Sequence, residues 1–281
     1  MAIRELPDLT PDQVIRLVDA LLANADALLM SALSVLDLEH VALAQSLAIL
    51  GLEESGKAIA VHERRVQIVQ EPEGVPFRCA ALDALWGSHE KKLEKVYDFL
   101  WGEQYWFGTE PSNPDANAAE LGTIRSWAKG NDRRKQRGFY VELAKTGDVM
   151  APPDVADEDR LRHLIQRVHQ VGWQLRLGEH IEGRRQDEQE TPWPGLPRDQ
   201  AEQLFRHVEH SPAVDDLIEG ATQRVGGRPL NNAAYRFNRP GDSQDPFRNF
   251  GKPGYEASDR ETMALWSDLQ DQDRDQDDPE G

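Results

Sequence analysis

Residues 49–63, with the sequence ILGLEESGKAIAVHE, contain the Gly-x-x-x-x-Gly-Lys spacing of a phosphate-binding loop. In such a loop, backbone N–H groups surround the phosphates, the Lys contacts them, and a following Ser or Thr binds magnesium. Here Ala58 follows Lys57, so the magnesium ligand is missing. The preceding residues have a helical pattern, and Glu53 and Glu54 would place negative charge beside the phosphates. The sequence therefore predicts a helix interior, not a nucleotide site.

The same stretch places charged side chains in the most apolar helical segment of the chain. From Val41 to Leu52 the only polar side chains are Gln45 and Ser46, so we expect this helix to be buried on nearly all sides. Glu53 and Lys57 have the i,i+4 spacing of a favourable ion pair.

His89 and Lys92 lie one helical turn apart in a later apolar stripe. A buried carboxylate needs a partner because an unpaired charge is costly to bury, so we expect His89 to contact a carboxylate of the preceding helix. The sequence predicts one polar pocket, which either holds the helices together through buried ion pairs or has a function of its own. Its predicted members are Glu53, Glu54, Lys57, His89 and Lys92.

Several kinds of chemistry lack the residue patterns that they need. A di-metal carboxylate bundle uses Glu-x-x-His on two helices, and none of the eight His residues has a Glu three positions before it. No local signature of Ser-His-Asp catalysis is present. The single cysteine, Cys79, excludes an intramolecular disulfide and a cysteine-based zinc site. We therefore predict no metal and no cofactor.

Apolar periodicity predicts an all-α protein, an antiparallel helical bundle with additional C-terminal helices and a disordered acidic tail. Four long helices are predicted. The first starts after the Thr10 cap, and the second runs from about residue 39 to 69. The third runs from about 77 to 106, and the fourth from the Asp154–Asp157 region to about 181. The predicted units are a helical bundle over 1–185, a short helical extension over 186–225 and a mostly disordered Gly/Pro/Asp-rich tail over 226–281.

Bulk properties limit the location and partners of the chain. The 281 residues carry a net charge of −18, which argues against indiscriminate nucleic-acid binding. No apolar run approaches the roughly 20 residues that a membrane span needs, and the N-terminus has no signal-peptide pattern. These features predict a cytoplasmic protein without membrane contact.

Four segments of the chain share one further pattern. They are, in order, LAQSLAILGLEESGKAIAV (43–61), LWGSHEKKLE (85–94), KQRGFYVEL (135–143) and APPDV (151–155). Together they resemble the AbiV family of bacterial abortive-infection proteins, in which a helix containing L-E-E-x-G-K-A precedes an H-x-x-K-L helix and a K-x-x-G-x-Y-V-D-like segment. Glu142 replaces the Asp expected in the last of these. The resemblance covers about residues 14–180.

AbiV proteins are grouped with the HEPN superfamily, whose helical domains often act as metal-independent RNases with an Arg-x(4–6)-His motif. The resemblance implies a homodimer active in antiphage defence, with Arg162 and His169 as the matching pair. Their spacing is two helical turns, so both lie on one helix face. The His would transfer a proton and the Arg would hold the phosphate. The alternative is that both are solvated surface residues.

The segment RSWAKGNDRRKQRG (125–138) is strongly basic within an acidic chain. Beside an RNase cleft it fits an RNA-backbone contact. The alternatives are a solvated loop, or a site for an acidic partner such as the chain's own tail. The predicted RNA-binding residues are Arg125, Lys129, Arg133, Arg134, Lys135 and Arg137.

Two functional hypotheses follow. In the first, the protein halts growth or translation after infection by cutting RNA. In the second, it is a non-catalytic interaction protein that binds a phage protein or the translation machinery, and its polar pocket only stabilises the bundle.

Overall fold

A computed structural model of the protein describes residues 5–105, 113–206, 212–223 and 226–237. Within these ranges the chain is almost entirely helical, which confirms the predicted all-α class. The helices are α1 (Pro11–Leu36), α2 (Val41–Ile68), α3 (Ala80–Trp86), α4 (His89–Gly102), α5 (Pro114–Leu121), α6 (Ile124–Phe139), α7 (Glu158–Glu190), α8 (Arg198–Leu204) and α9 (Pro212–Thr222). Two short strands of two residues each, β1 (Glu142–Leu143) and β2 (Val149–Met150), pair antiparallel and form a hairpin.

The first two helices form a hairpin that carries much of the core. As expected, α1 begins with a capping box, in which the Thr10 hydroxyl accepts from the Gln13 N–H and the Gln13 side chain accepts from the Thr10 N–H. Its buried stripe, from Val14 to Ala32, belongs to the main core together with residues of α2. By length and composition alone, α1 is long and apolar enough to span a membrane, although the sequence analysis expected no apolar run of that length. Core helices of globular proteins can have the same length and composition.

The central element of the bundle is α2. It packs against α1, α4, α6 and α7, and its buried residues point in all directions around the helix. This confirms the interpretation of the phosphate-loop spacing as helix interior. Residues 51–57 cannot form a nucleotide-binding loop here. They lie within one continuous helix, so their backbone N–H groups are used in helical hydrogen bonds.

Glycines set the closest helix approaches around α2. A Cβ atom on Gly56 would lie 2.2 Å from the backbone oxygen of Lys92 in α4. A Cβ on Gly138 of α6 would lie 2.0 Å from the Ser46 hydroxyl oxygen and 2.4 Å from the Ala42 carbonyl oxygen. Both crossings therefore require a residue without a side chain.

Three helix predictions differ from the structure. The single helix predicted over 77–106 is two helices, because Ser88 caps a new one by accepting a hydrogen bond from the Lys91 N–H. The helix predicted to end near 181 continues to Glu190, into the predicted extension. The basic segment 125–138 is not a loop but part of α6.

The packed part of the chain extends further than the sequence predicts. Residues 226–237 lie in the predicted disordered tail, yet Tyr235 and Phe237 are buried. The Tyr235 hydroxyl donates to the Leu9 carbonyl over 2.6 Å, and its ring stacks on Phe77. The remaining tail, 238–281, lies outside the described residues. The predicted extension contains α8 and α9, and the division into three units stays a prediction.

Gly56→Ala should destabilise the protein by roughly 3 kcal/mol, because the new methyl group meets backbone rather than a movable side chain. Gly102→Ala is the matched control, since nothing lies within 4 Å of its added Cβ. Urea unfolding followed by circular dichroism measures both. Equal stability of the two variants would show that the α2–α4 crossing is not as tight as described.

Candidate functional site

A buried carboxylate joins three helices at the centre of the bundle. Glu53 of α2 is 3% exposed. Its Oε1 accepts a short hydrogen bond from the Lys135 ammonium of α6. Its Oε2 accepts from Nδ1 of His89 in α4 over 2.5 Å, and the Lys92 ammonium lies 4.0 Å from the same oxygen. We call these four residues the Glu53 cluster.

Local structure places each partner of Glu53. His89 is the first residue of α4, positioned by the Ser88 cap, and its side chain is 58% exposed. Lys135 is fixed through its backbone, because the Ser46 hydroxyl donates to the Lys135 carbonyl over 2.9 Å. Gly138, one turn later, lets α6 approach α2 closely enough for that contact.

The five residues of the predicted polar pocket form two groups. Glu53, His89 and Lys92 belong to the Glu53 cluster, whereas Glu54 and Lys57 pair with each other. Lys57 pairs with Glu54 over 2.6 Å at i,i+3, so the predicted Glu53–Lys57 pair is wrong. The Lys57 ammonium also lies 5.4 Å from the centre of the Trp86 ring. The reason for the difference is that Lys135 and His89 already occupy both oxygens of Glu53.

The charges of the Glu53 cluster determine what it can hold. Burial lowers the pKa of Lys92, and the Glu53 carboxylate opposes that shift. Donor atoms of Glu53, His89 and Asp132 lie within 4.8 Å of one another, which is a metal-ligand grouping. However, Lys135 contacts the Glu53 carboxylate and lies 3.0 Å from Asp132 Oδ1. A divalent ion would have to displace this ammonium, so the arrangement favours an internal ion-pair network.

The six predicted RNA-binding residues are not on one surface. Lys135 is buried in the Glu53 cluster and is not accessible to RNA, which corrects its prediction as an RNA-binding residue. Arg134 faces a groove beside α7. The other four follow one another at i,i+4 along α6 and form a stripe, in which three are exposed and Arg137 is half-buried beside Glu142. They are Arg125, Lys129, Arg133 and Arg137.

Arg162 and His169 lie on the same face of α7, as the spacing predicts. The Arg162 side chain is 69% exposed and has long ion pairs with Glu158, at 3.8 Å, and Asp159, at 3.5 Å. His169 is half-buried. Neither residue lines the two grooves that lie beside α5 and α7.

A second buried polar network was not predicted from the sequence. His62 of α2 is fully buried and contacts the Tyr105 hydroxyl over 2.8 Å, and that hydroxyl donates to Glu182 of α7 over 3.2 Å. Burial, followed by the charge of Arg65, lowers the pKa of His62 to about 3. Burial raises the pKa of Tyr105, and the neighbouring Glu182 adds to the increase. A lone His within the apolar helix was the only signal for this network in the sequence.

The family model HEPN_AbiV, described as AbiV, matches residues 13–173, more than half of the chain. The chain belongs to the AbiV family. The matched region of this AbiV protein extends from α1 into α7 and contains both the Glu53 cluster and the Arg162–His169 pair. Membership associates the protein with abortive infection, a form of antiphage defence. No curated protein and no solved structure matches the chain significantly.

Glu53→Gln should lower the free energy of unfolding by roughly 3 kcal/mol, because it leaves buried cations without their counter-charge. Glu54→Gln, which breaks only the Glu54–Lys57 pair, should cost less than about 1 kcal/mol. Denaturant titration at neutral pH compares the two variants. A larger loss for Glu54→Gln would contradict the central role of Glu53.

His62 predicts a specific pH dependence of stability. Its pKa is about 3 when folded and near 6.5 when unfolded, so protonation favours the unfolded chain. Its contribution is therefore complete above about pH 6.5 and is lost as the pH falls toward 3. Between pH 7 and 5.5, the wild type should lose roughly 1 kcal/mol more than His62→Gln. Identical pH profiles in urea unfolding would contradict the assignment.

Proposed function

We propose that this AbiV protein acts in antiphage defence as a metal-independent endoribonuclease that uses Arg162 and His169. The observation that supports the proposal is the loosely held Arg162 guanidinium. Its ion pairs are long and solvated, so they contribute little and exchange readily for a phosphate. His169 lies two turns further along the same face, where one RNA linkage can reach both groups.

The residues suit cleavage by the 2′-hydroxyl of RNA. His169 removes the 2′-hydroxyl proton, the oxygen attacks the adjacent phosphorus, and the bond from phosphorus to the 5′-oxygen breaks. The leaving oxygen takes up a proton, which a second His169 supplies in a symmetric dimer. Arg162 stabilises the charge that develops on the phosphate oxygens. The products are a 2′,3′-cyclic phosphate and a free 5′-hydroxyl.

The exposed stripe of α6 provides an RNA contact for this reaction. Arg125 and Arg133 are exposed, and the ion pair between Lys129 and Glu90 is 3.8 Å long. Such cations bind the RNA backbone without reading its sequence.

A second candidate function is partner binding without catalysis. The hairpin formed by β1 and β2 presents large apolar side chains to solvent, with Leu143 73% exposed and Val149 65% exposed. Tyr140 and Val141, just before the hairpin, are equally open. An exposed apolar patch of this kind is typical of a protein-binding surface, and a phage protein is the partner that the family's role in defence suggests.

Arg162→Ala and His169→Ala should each reduce RNA cleavage by roughly 100-fold or more, because general acid–base and phosphate contacts contribute on that scale. The assay uses purified protein, transfer RNA and detection of the cyclic-phosphate end, together with phage protection in cells. His180→Ala and Arg184→Ala, exposed on the same helix, are the controls. Cleavage that survives both substitutions would remove the RNase proposal. Loss of protection only on Leu143→Ser, with no cleavage by any variant, would establish the second candidate.

A further inference from the structure

A groove between α5, α6 and α7 concentrates positive charge away from the Arg162–His169 pair. It has a volume of about 360 Å³. Arg134 of α6 and Arg160, His163 and Arg167 of α7 line it. At about 100° per residue, the pair His163 and Arg167 is centred about 130° around the α7 axis from the pair Arg162 and His169. The groove is therefore on a different flank of the helix.

One arginine in the groove already has a carboxylate partner. Arg167 donates to Glu120 of α5 over 2.5 Å. Burial lowers the pKa of Arg167, and the Glu120 carboxylate opposes that shift. A smaller groove of about 210 Å³ shares both residues, so this ion pair lies where the two grooves meet.

The other two arginines lack such a partner. Among the residues that the structure describes, no carboxylate oxygen lies within 4.0 Å of the Arg134 or Arg160 guanidinium. Burial lowers the pKa of Arg134, and the positive charge of Arg160 lowers it further, while Asp157 acts in the opposite direction. Arginine side chains carry a permanent positive charge in proteins. Two like charges thus share the groove, with Arg134 half-buried and Arg160 exposed, an arrangement that an anion would stabilise.

The shape of α6 directs one of these groups into position. The Arg134 guanidinium folds back over the preceding turn, and its Nη1 lies 3.0 Å from where a Cβ of Gly130 would be. The remaining lining supplies hydrogen-bonding and aromatic groups, namely Asn131, Ser126 and the Trp127 indole. Planar bidentate donors bind phosphate well, and an aromatic side chain offers a stacking surface for a base.

We propose that this groove binds a phosphate-bearing nucleotide, either free or as part of single-stranded RNA. Arg134 and Arg160 hold the phosphate, and Trp127 contacts the base. His163 donates a further hydrogen bond at the groove wall. The proposal does not depend on RNA cleavage, since it involves a different flank of α7.

Binding is tested with the full-length protein and two probes. The first is adenosine 5′-monophosphate, compared with adenosine, by calorimetry and by the ligand-induced rise in melting temperature. The second is a fluorescent single-stranded RNA decamer with 2′-O-methyl groups, followed by anisotropy. Methylation prevents attack by the 2′-hydroxyl, so a failed RNase proposal does not affect the result.

Arg134→Gln and Arg160→Gln should each weaken binding of the phosphate-bearing probes about ten-fold or more, with adenosine binding weakly throughout. The matched controls are Arg16→Gln on α1 and Arg184→Gln on α7, both exposed and outside the groove, and they should stay within about two-fold of the wild type. Both groove arginines are near the surface, so melting temperatures without ligand should change little. Arg134→Lys, which keeps the charge, should retain more binding than Arg134→Gln.

The outcomes separate the two sources of phosphate. Tight binding of the mononucleotide, which also displaces the decamer, identifies a free-nucleotide site. Binding of the decamer alone identifies a single-stranded RNA site. The proposal is overturned if neither phosphate-bearing probe binds, or if the control substitutions weaken binding as much as the groove substitutions do.

Discussion

The interaction on which the bundle depends is the ion pairing of the buried Glu53 carboxylate. A carboxylate at this depth is stable only when donors satisfy it, because removal from water costs several kcal/mol per ion. Lys135 and His89 supply those donors from α6 and α4, respectively. These two helices are far from α2 in sequence, so the charge network specifies which helices surround α2, whereas apolar packing alone would allow several arrangements. Buried polar groups can confer this kind of specificity even where they add little net stability.

Packing around α2 explains why this segment has the spacing of a nucleotide-binding motif. Gly56 is present because the α4 backbone passes 2.2 Å from the position of its Cβ. The Lys57 ammonium pairs with Glu54 over 2.6 Å. Gly51 lies against the backbone oxygen of Ala25, 3.3 Å from an added Cβ. The phosphate-loop spacing thus arises from three separate packing requirements within one helix, and none of them involves a phosphate.

How much the sequence predicts depends on the distance along the chain over which each interaction acts. Helical periodicity and capping are local, so the central position of α2 and the Thr10 cap were predictable. The contact between His89 and a carboxylate of α2 was also expected from the cost of burying an unpaired charge. The choice of Glu53 over Glu54, and the burial of Lys135, depend on an ion pair between residues 82 positions apart. Nothing in the basic segment distinguishes Lys135 from its neighbours until the helix is placed against α2.

The distribution of arginine partners is the remaining physical argument about function. In a chain with net charge −18, most cations have a carboxylate available, and Arg64, Arg167 and Arg176 use theirs at short distance. Arg162 holds its carboxylates only at long distance. Arg134 and Arg160 share a groove, and neither forms an ion pair with a carboxylate of the described residues. Cations left with weak or no partners in an acidic protein are poor contributors to its stability. Their positions on two flanks of α7 are the surfaces at which both proposals place an external anion, and RNA carries such anions at regular spacing.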